Sequence, residues 1–302
     1  SLQVFLDPKY AGRISLPDNT DDVWSLALLA TGCGGGKSSS ASGKKKVVTS
    51  FTIIADMARE VTDSVRTFLE HGVDRSWLVV GVGGGIVCDV AGFAASTYLR
   101  GLSFGFAPTT LLAQVDASIG GKNGVNLKGY KNQVGTFNQP DFVLCDFAVL
   151  RSLPEEELRN GFAEIIKHAL IADEDLFRFL ETHAADALSL QVEAIERVVH
   201  DSLVIKSAIV SRDETEKGER RKLNFGHTVG HALEKVCRIR HGEAVSIGMA
   251  HAARLSARKG FVSERDTKRI EDLLARFGLP LTVRAEAGLL RDALWKDKKR
   301  EA

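Results

Sequence analysis

The sequence is poor in residues that define several classes of protein. Its 302 residues include only four cysteines, and these are widely scattered, at Cys33, Cys88, Cys145 and Cys237. Disulfide frameworks and zinc ribbons need paired cysteines, so we expect neither, and we expect the thiols to be reduced. No apolar run approaches the roughly 20 residues that span a bilayer, and no basic segment followed by an apolar one opens the chain. The sequence therefore predicts a cytoplasmic protein without a membrane partner.

Neither sign of charge is in excess. Forty Lys and Arg residues against 39 Asp and Glu residues leave a formal net charge of +1. Such a chain has no overall field to attract nucleic acid, so we expect no nucleic-acid partner. A chain of this length can bury a sizeable core and is long enough for two domains.

The pattern of apolar residues divides the chain into three parts. Residues 1–46 end in a tract of glycine, serine and lysine that cannot bury enough apolar surface to fold, so we interpret residues 33–46 as a flexible linker. The rival interpretation, a phosphate-binding loop, lacks the required spacing of glycine and lysine. Residues 47–150 mix helix and strand, and residues 151–302 are helical. We expect an α/β domain followed by an all-α domain.

Within these parts, the period of the apolar residues predicts individual elements. A helix is expected over residues 51–69, and strands over residues 76–82 and 103–107. Ser152 and Glu155, with Pro154 between them, predict a capping box at the start of the next helix. Further helices are expected over residues 173–188, 193–210, 224–236 and 243–258. Ser263 is expected to begin a last helix, which ends at Gly278.

The first predicted strand runs into a glycine turn, Gly83-Gly84-Gly85, followed by a helix. Glycines let a backbone approach a ligand closely, and the free N–H groups at a helix N-terminus attract anions. The turn is therefore a candidate cradle for a phosphate or pyrophosphate, although close packing alone would also account for it.

Polar residues further along the chain add to this picture. Lys122, Lys131 and Asn132 lie among further glycines, where a long amine can reach an anion, and they favour a phosphorylated ligand. His227 and His231 are four residues apart and share one helix face, so spacing alone makes them a candidate metal pair.

Taken together, these residues resemble the 3-dehydroquinate synthase family. The resemblance covers roughly residues 74–299 and includes Asn160-Gly161-Phe162-Ala163-Glu164, Asn224-Phe225-Gly226-His227-Thr228 and His241-Gly242-Glu243. It also includes the glycine turn with Asp89, residues 98–101, residues 108–122 and Lys131-Asn132. The resemblance implies a Rossmann-like dinucleotide-binding domain, here incomplete at its start, followed by a helical metal- and substrate-binding domain.

The resemblance implies two cofactors. NAD would be held over residues 47–150, by Gly83, Gly84, Gly85, Asp89, Thr109, Thr110 and Lys131. A divalent metal, Zn²⁺ or Co²⁺, would be held by Glu164, His227 and His241, with His231 facing the substrate phosphate instead. NAD would oxidise the substrate transiently and end unchanged, so it would act as a catalyst.

The implied substrate is a phosphorylated sugar acid, 3-deoxy-D-arabino-heptulosonate 7-phosphate, which the family converts to 3-dehydroquinate. Its phosphate would be bound by Lys122, Asn132, Asn224, His231 and Arg100. Arg100 would come from a neighbouring subunit, which predicts a homodimer. Lys206 and Arg220 would hold the carboxylate, with Glu216 orienting Arg220. Asp116 and Lys167 would contact ring hydroxyls, and Lys298 or Lys299 would close the site.

Some features depart from the family. The Gly-Glu-x-x-Lys motif that precedes the first helix is absent, residues 1–32 faintly resemble polyamine-type solute-binding proteins, and the chain ends soon after the lysine pair. These features leave a truncated or fused inactive homologue as an alternative. Another sugar phosphate cyclase and a metal-dependent alcohol dehydrogenase are alternatives among enzymes.

Overall fold

The computed structural model describes residues 14–15, 29–30, 46–48, 57–127 and 130–298. The chain divides into two compact units, Ser1–Val149 and Leu150–Ala302. The described part of the first unit has a sheet with helices, and the described part of the second is helical. This is the predicted fold class. The further division into residues 1–46, 47–150 and 151–302 stays a prediction.

The described residues of the first unit form two sheets. Its strands are β1 (Ile14–Ser15), β2 (Leu29–Ala30), β3 (Lys46–Val48), β4 (Trp77–Gly83), β5 (Ser103–Pro108), β6 (Lys122–Leu127), β7 (Tyr130–Phe137) and β8 (Phe142–Val143). Six of them form one sheet in the order β1-β2-β3-β4-β5-β8, and β6 and β7 pair as a separate hairpin. Strands β3, β4, β5 and β8 are parallel, so their carboxyl ends meet at one edge, where open α/β sheets bind ligands.

One expectation for the start of the domain needs correction. The sequence predicts a linker through Lys46 and no strand before the first helix, yet Lys46 opens β3, where it pairs with Trp77 of β4. Val47 and Val48 account for this strand, because β-branched residues fit a sheet. Residues 33–45 of the predicted linker, and residues 51–56 of the predicted first helix, lie outside the described residues.

In the part of this unit that the structure describes, two α-helices accompany the large sheet, α1 (Met57–Glu70) and α2 (Gly85–Thr97). Helix α2 is apolar on most of its surface, and it buries Val87, Val90, Ala91 and Ala94 in the core. A helix of this kind has to be covered by other elements. The glycine turn is therefore held at both ends, because β4 leads into it at Gly83 and α2 leaves it at Gly85.

The second unit consists of α3 (Glu155–Ala172), α4 (Glu174–Leu188), α5 (Val192–Arg212), α6 (His227–Cys237), α7 (His241–Arg258), α8 (Glu264–Arg276) and α9 (Ala287–Lys298). Short 3₁₀ turns cover Phe147–Ser152 and Glu219–Asn224. Among the described residues, no helix combines the length and apolar character needed to cross a membrane.

The helix starts show where the sequence was informative. Ser263 caps α8 as predicted, by accepting a hydrogen bond from the N–H of Asp266 at 3.0 Å. The predicted capping box at Ser152 is wrong, because Ser152 ends a 3₁₀ turn and Pro154 is the N-cap of α3. Proline's fixed φ begins this helix without a side-chain cap. Helix α9 follows the helix that was expected to be the last.

Glycines allow the helices around α7 to approach closely. A Cβ on Gly248 of α7 would lie 1.9 Å from the carbonyl oxygen of Gly226, which precedes α6. A Cβ on Gly230 of α6 would lie 3.1 Å from the carbonyl oxygen of Ala244. Because these contacts are with backbone, they cannot be relieved by a rotamer change. Close packing of α6 and α7 therefore depends on glycine at these positions.

We predict that Gly248→Ala destabilises the protein by about 1–3 kcal/mol, the usual cost of overpacking a core. Gly288→Ala is the matched control, because Gly288 is also helical and its added Cβ would meet only the Glu286 side chain, at 3.5 Å. The control should be neutral or stabilising by up to about 1 kcal/mol. Urea unfolding measures both effects. Equal stability of the two variants would contradict this account of the packing.

Candidate functional site

Three helices of the second unit bring one carboxylate and two imidazoles together. Glu164 lies in the middle of α3, while His227 and His241 are the first residues of α6 and α7. The Nε2 atom of His227 lies 3.6 Å from Oε1 of Glu164, and Nε2 of His241 lies 3.5 Å from the same oxygen. The three side chains predicted as metal ligands therefore converge on one point.

His231 belongs to the same neighbourhood. One ring nitrogen from each of His227, His231 and His241 lies within 4.8 Å of the others. His227 and His231, the pair expected from spacing alone, are thus adjacent in space. His241, from another helix, lies within the same distance of both. All three histidines are close enough to bind one metal ion, so the choice between His231 and Glu164 as a ligand depends on other features.

The other ring nitrogens of the two helix-starting histidines face oxygens. Nδ1 of His227 is 3.2 Å from the carbonyl oxygen of Phe225, and Nδ1 of His241 is 3.5 Å from Oε2 of Glu234. Histidines that ligate metals commonly donate their second N–H to a carbonyl or carboxylate, which orients the ring. In this arrangement both Nε2 atoms lie on the side of Glu164.

Glu164 is fully buried and its two oxygens have different surroundings. Oε2 forms an ion pair with Nζ of Lys167, which is itself buried. Oε1 is also buried, and among the described residues it has no hydrogen-bond partner. Buried polar atoms nearly always have a hydrogen-bond partner or another ligand, so we expect this oxygen to bind one. A divalent cation fits, because two imidazoles and a carboxylate are a common ligand set for zinc.

The electrostatics favour the protonation states that bind metal. Burial alone would raise the pKa of the Glu164 carboxyl, but Lys167 and the His227 and His241 imidazoles hold that pKa well below its usual value. Burial lowers the pKa of His227 to about 4, and only Glu164 opposes this. At neutral pH the site therefore offers a carboxylate and a neutral imidazole, as cation binding requires.

Buried cations accompany this cluster in the second unit. Three cationic side chains are each at most 5% exposed: Lys167 on α3, Lys206 on α5 and Arg220 in the 3₁₀ turn Glu219–Asn224. Charged side chains are rarely buried so completely unless they are paired or functional. Nη1 of Arg220 donates to the carbonyl oxygen of Glu214 at 2.5 Å, which sets the direction of its guanidinium.

The loop before this 3₁₀ turn is organised by Asp213. Its carboxylate accepts hydrogen bonds from the backbone N–H groups of Lys217 at 2.9 Å, Gly218 at 2.7 Å and Arg220 at 3.0 Å. These three donors lower the pKa of Asp213. Glu216 accepts a hydrogen bond from Nδ2 of Asn224 at 2.8 Å, so its predicted role toward Arg220 stays a prediction.

In the first unit, the glycine turn and the two threonines follow the carboxyl ends of neighbouring parallel strands. Gly83 ends β4 beside Pro108 of β5, and the N–H of Thr109 donates to the carbonyl oxygen of Gly83 at 2.9 Å. A Cβ on Gly84 would lie 3.3 Å from the Thr110 side chain. The predicted cofactor residues Gly83, Gly84, Gly85, Thr109 and Thr110 therefore form one contiguous surface, and Asp89 lies half-buried on α2 behind them.

Asp116 lies on an unusual turn next to this surface. Residues Ala113–Ala117 form one turn of π-helix, a feature common at functional sites. The hydroxyl of Thr110 accepts a hydrogen bond at 3.1 Å from the N–H of Ala113, the first residue of this turn. Thr110 thus connects the predicted cofactor residues with Asp116.

The predicted phosphate ligands of the first unit are exposed. Lys122 begins β6, and Asn132 of β7 has a φ of 49°, with its N–H donating to Oδ1 of Asn126 at 3.0 Å. Arg100 is exposed at the end of a 3₁₀ turn, also with positive φ. Lys131 lies in β7 and Lys298 ends α9, but their side chains, and Lys299 altogether, are outside the described residues.

Several supporting residues were missed from the sequence. Glu234 and the carbonyl of Phe225 orient the histidines, and Asp213 folds the loop that carries Arg220. Glu234 had a usable signal, since it lies seven residues after His227 on the same helix and therefore near the same face. Asp213 had none, because its partners are backbone groups.

Comparison with known proteins agrees with this picture. Two family profiles match the chain, 3-dehydroquinate synthase N-terminal over residues 54–160 and 3-dehydroquinate synthase C-terminal over residues 161–300. A curated relative, the 3-dehydroquinate synthase of Geobacter sp. (strain M21), is 46% identical over 235 residues, which cover 76% of this chain. The chain spans 65% of that relative's length, just under two thirds.

Two solved structures are also similar. ValA, the 2-epi-5-epi-valiolone synthase of Streptomyces hygroscopicus subsp. jinggangensis 5008 with NAD⁺ and Zn²⁺ bound, has a TM-score of 0.76 and 33% identity, covering 80% of this chain and 69% of its own. A 2-deoxy-scyllo-inosose synthase complexed with carbaglucose-6-phosphate, NAD⁺ and Co²⁺ has a TM-score of 0.73 and 31% identity, covering 79% and 66%. These matches confirm the predicted dehydroquinate synthase-like fold.

We predict that Lys167→Met destabilises the metal-free protein by about 3–5 kcal/mol, because it leaves the Glu164 charge buried without its ammonium partner. Lys268→Met is the control, since the Lys268–Asp272 pair is on the surface of α8 and should contribute less than about 1 kcal/mol. Chemical unfolding in the presence of a chelator measures both. Similar losses in the two variants would show that Lys167 does not compensate Glu164.

A second prediction concerns pH. The pKa of His227 is about 4 in the folded protein, against 6.5 as its ordinary value, so the unfolded chain binds a proton first as the pH falls. The stability that this group contributes is complete above about pH 6.5 and is lost as the pH falls toward about 4. His227→Gln should therefore flatten the stability curve of the metal-free protein across this window.

The measurement is the urea midpoint at several pH values in the presence of a chelator. His251→Gln provides the control, because it removes an exposed imidazole of α7 without altering the cluster. A curve for His227→Gln that falls as steeply as that of the parent protein would contradict the buried, neutral state of His227.

Proposed function

This chain belongs to the 3-dehydroquinate synthase family, and we propose that it catalyses the reaction of that family. The substrate is 3-deoxy-D-arabino-heptulosonate 7-phosphate, and the products are 3-dehydroquinate and phosphate. The observation that carries the proposal is the convergence of His227 and His241 on one buried oxygen of Glu164, at 3.6 and 3.5 Å. A centre of this composition suits chemistry at a substrate oxygen.

In this proposal Glu164, His227 and His241 hold Zn²⁺ or Co²⁺. Glu164 is favoured over His231 as the third ligand because it is a buried carboxylate whose Oε1 lies beside both other ligands, while His231 is exposed. Such a cation would supply Lewis-acid polarisation of a substrate hydroxyl, and bound NAD would supply a reversible hydride acceptor. Lys167 pairs with Oε2 of Glu164, so Oε1 is the oxygen that would bind the cation.

The buried cations of the second unit support recognition of a carboxylate. Arg220 and Lys206 are almost inaccessible, and a guanidinium binds a planar carboxylate through two parallel hydrogen bonds. We assign the substrate carboxylate to this pair. The phosphate is assigned to Lys122, Asn132, Asn224, His231 and Arg100, and ring hydroxyls to Asp116 and Lys167. Lys298 is assigned to closing the site.

NAD is assigned to the turn Gly83–Gly85 with Asp89, Thr109, Thr110 and Lys131. The support for this assignment is the free N-terminus of α2, whose N-cap residue is a glycine with no side-chain cap. Backbone N–H groups there can accept a pyrophosphate. A Cβ on Gly84 would press against the Thr110 side chain at 3.3 Å, so glycine keeps this part of the turn unobstructed.

Two further assignments complete the proposal. Arg100 is exposed on a turn that Arg75 holds through hydrogen bonds of 3.0 and 3.2 Å to the carbonyl oxygen of Leu99, which suits a residue that acts on a second subunit of a homodimer. We also place the protein in the cytoplasm, in keeping with free thiols at Cys88, Cys145 and Cys237.

The test is formation of 3-dehydroquinate by the purified chain with the heptulosonate phosphate, NAD and Zn²⁺, each omitted in turn. We expect product only when all are present, and no net NADH. Arg220→Gln should reduce kcat/KM by roughly 10- to 100-fold, the value of a charged hydrogen bond. Arg221→Gln is the matched control, because Arg221 is the exposed neighbour in the same turn.

Three outcomes would overturn the proposal. Accumulation of NADH would identify a dehydrogenase. Preferential turnover of a sugar phosphate without a carboxylate, insensitive to Arg220→Gln, would identify another cyclase. A folded, metal-loaded chain that forms no product from any of these substrates would be an inactive homologue.

A further inference from the structure

The N-terminus of α7 is tied to α3 on both sides of His241. On one side, Nε of Arg240 lies 3.0 Å from Oε1 of Glu157. On the other side, the backbone N–H of Gly242 donates a hydrogen bond to Oδ1 of Asn160. His241 therefore stands between two residues that are each anchored to the first two turns of the same helix.

The two anchors are connected to each other. Nδ2 of Asn160 donates to Oε2 of Glu157 at 3.2 Å, while the other oxygen of Glu157 receives Arg240. Asn160 is buried, so its side chain can exchange these bonds for few others. The backbone N–H of Arg240 also donates to Oε2 of Glu243 at 2.9 Å, which fixes the first turn of α7.

The anchors and the carboxylate share one face of α3. Asn160 precedes Glu164 by four residues, about one helical turn, so both side chains point the same way. A Cβ on Gly242 would lie 2.3 Å from the carbonyl oxygen of Asn160, which shows how closely the two backbones approach. The distance between Glu164 and His241 is therefore set one turn away, by the contact of Asn160 with Gly242.

We propose that Glu157, Asn160 and Arg240 form a clamp that positions His241 against Glu164 and thereby sets the affinity of the site for a divalent cation. The inference rests on the proposed metal centre. The three are positioning residues, because they act on the backbone beside the ligand. A metal site needs its ligands within about 0.5 Å of the productive geometry, so slippage of α7 against α3 weakens binding.

The test measures Co²⁺ binding to the whole chain, by its visible absorption and by competition with a chelator, together with thermal unfolding of the metal-free protein. Asn160→Ala and Arg240→Ala should each weaken Co²⁺ binding by about tenfold, the lower end for groups that orient metal ligands. Their Co²⁺ spectra should also differ from the parent spectrum. If Asn160→Ala fails to fold, Arg240→Ala still tests the clamp, because Arg240 is half-exposed.

Arg254→Ala is the matched control. It removes another Nε–Oε1 ion pair of α7, the 2.5 Å contact with Glu271 of α8, at a distance from His241 along the helix. We expect it to lower the unfolding temperature about as much as Arg240→Ala while leaving Co²⁺ binding unchanged. Equal weakening of Co²⁺ binding in both arginine variants, or none in Arg240→Ala and Asn160→Ala, would overturn the clamp.

A further variant distinguishes an error in the proposed metal centre from an error in the clamp. Glu164→Gln should abolish tight Co²⁺ binding. If this variant binds Co²⁺ as tightly as the parent protein, or if the parent protein does not bind it, the metal centre is wrong and the clamp falls with it.

Discussion

A single buried negative charge, the carboxylate of Glu164, is the constraint on which the second unit depends. An isolated carboxylate in a protein interior is strongly unfavourable, so the fold has to supply compensating groups around it. Lys167 supplies a full positive charge from the same helix, and His227 and His241, from two other helices, bring polar ring nitrogens to 3.6 and 3.5 Å from Oε1. Helices α3, α6 and α7 are therefore held to one another by the requirements of one side chain as well as by their apolar faces.

Bringing these groups to Glu164 requires unusually close packing of the helices. The contacts of Gly226 with Gly248 and of Gly242 with Asn160 bring the starts of α6 and α7 close to neighbouring backbone. Larger residues at these positions would separate the helices by more than hydrogen bonds between them could tolerate. The glycines of the second unit thus have a different role from the turn at Gly83–Gly85, where they leave space beside a helix N-terminus.

The sequence was informative where a pattern is local. The strand before Gly83, the helix after Ser263 and the two-part fold class all follow from apolar period and turn residues, and the structure has them. Resemblance to a family named Glu164, His227 and His241, which spacing alone could not do, since spacing pairs His227 with His231. Contacts between distant segments were out of reach. Asn160 and Gly242 are 82 positions apart, and no periodicity relates them.

The same reasoning explains why β3 and Asp213 were missed. A strand of three residues beside a lysine run has too little pattern to predict, yet β4 offers it a parallel edge. Asp213 had no usable signal, because the N–H groups that it binds are placed by the backbone conformation of the loop, including the positive φ of Glu216. Tertiary context decides such positions, and one-dimensional patterns carry little of it.

The placement of both histidines at helix starts has a consequence for the chemistry of the cluster. The first turn of a helix carries a partial positive charge, which disfavours a protonated imidazole and stabilises a nearby carboxylate. Two such helix ends and Lys167 together create a positive potential that repels a divalent cation. Glu164 reverses that balance, because its full negative charge lies beside the Nε2 atoms of both histidines, whereas Glu234 approaches His241 from the Nδ1 side. Without this carboxylate, the same set of groups would be suited to an anion, so a single side chain determines which sign of ion the site can hold.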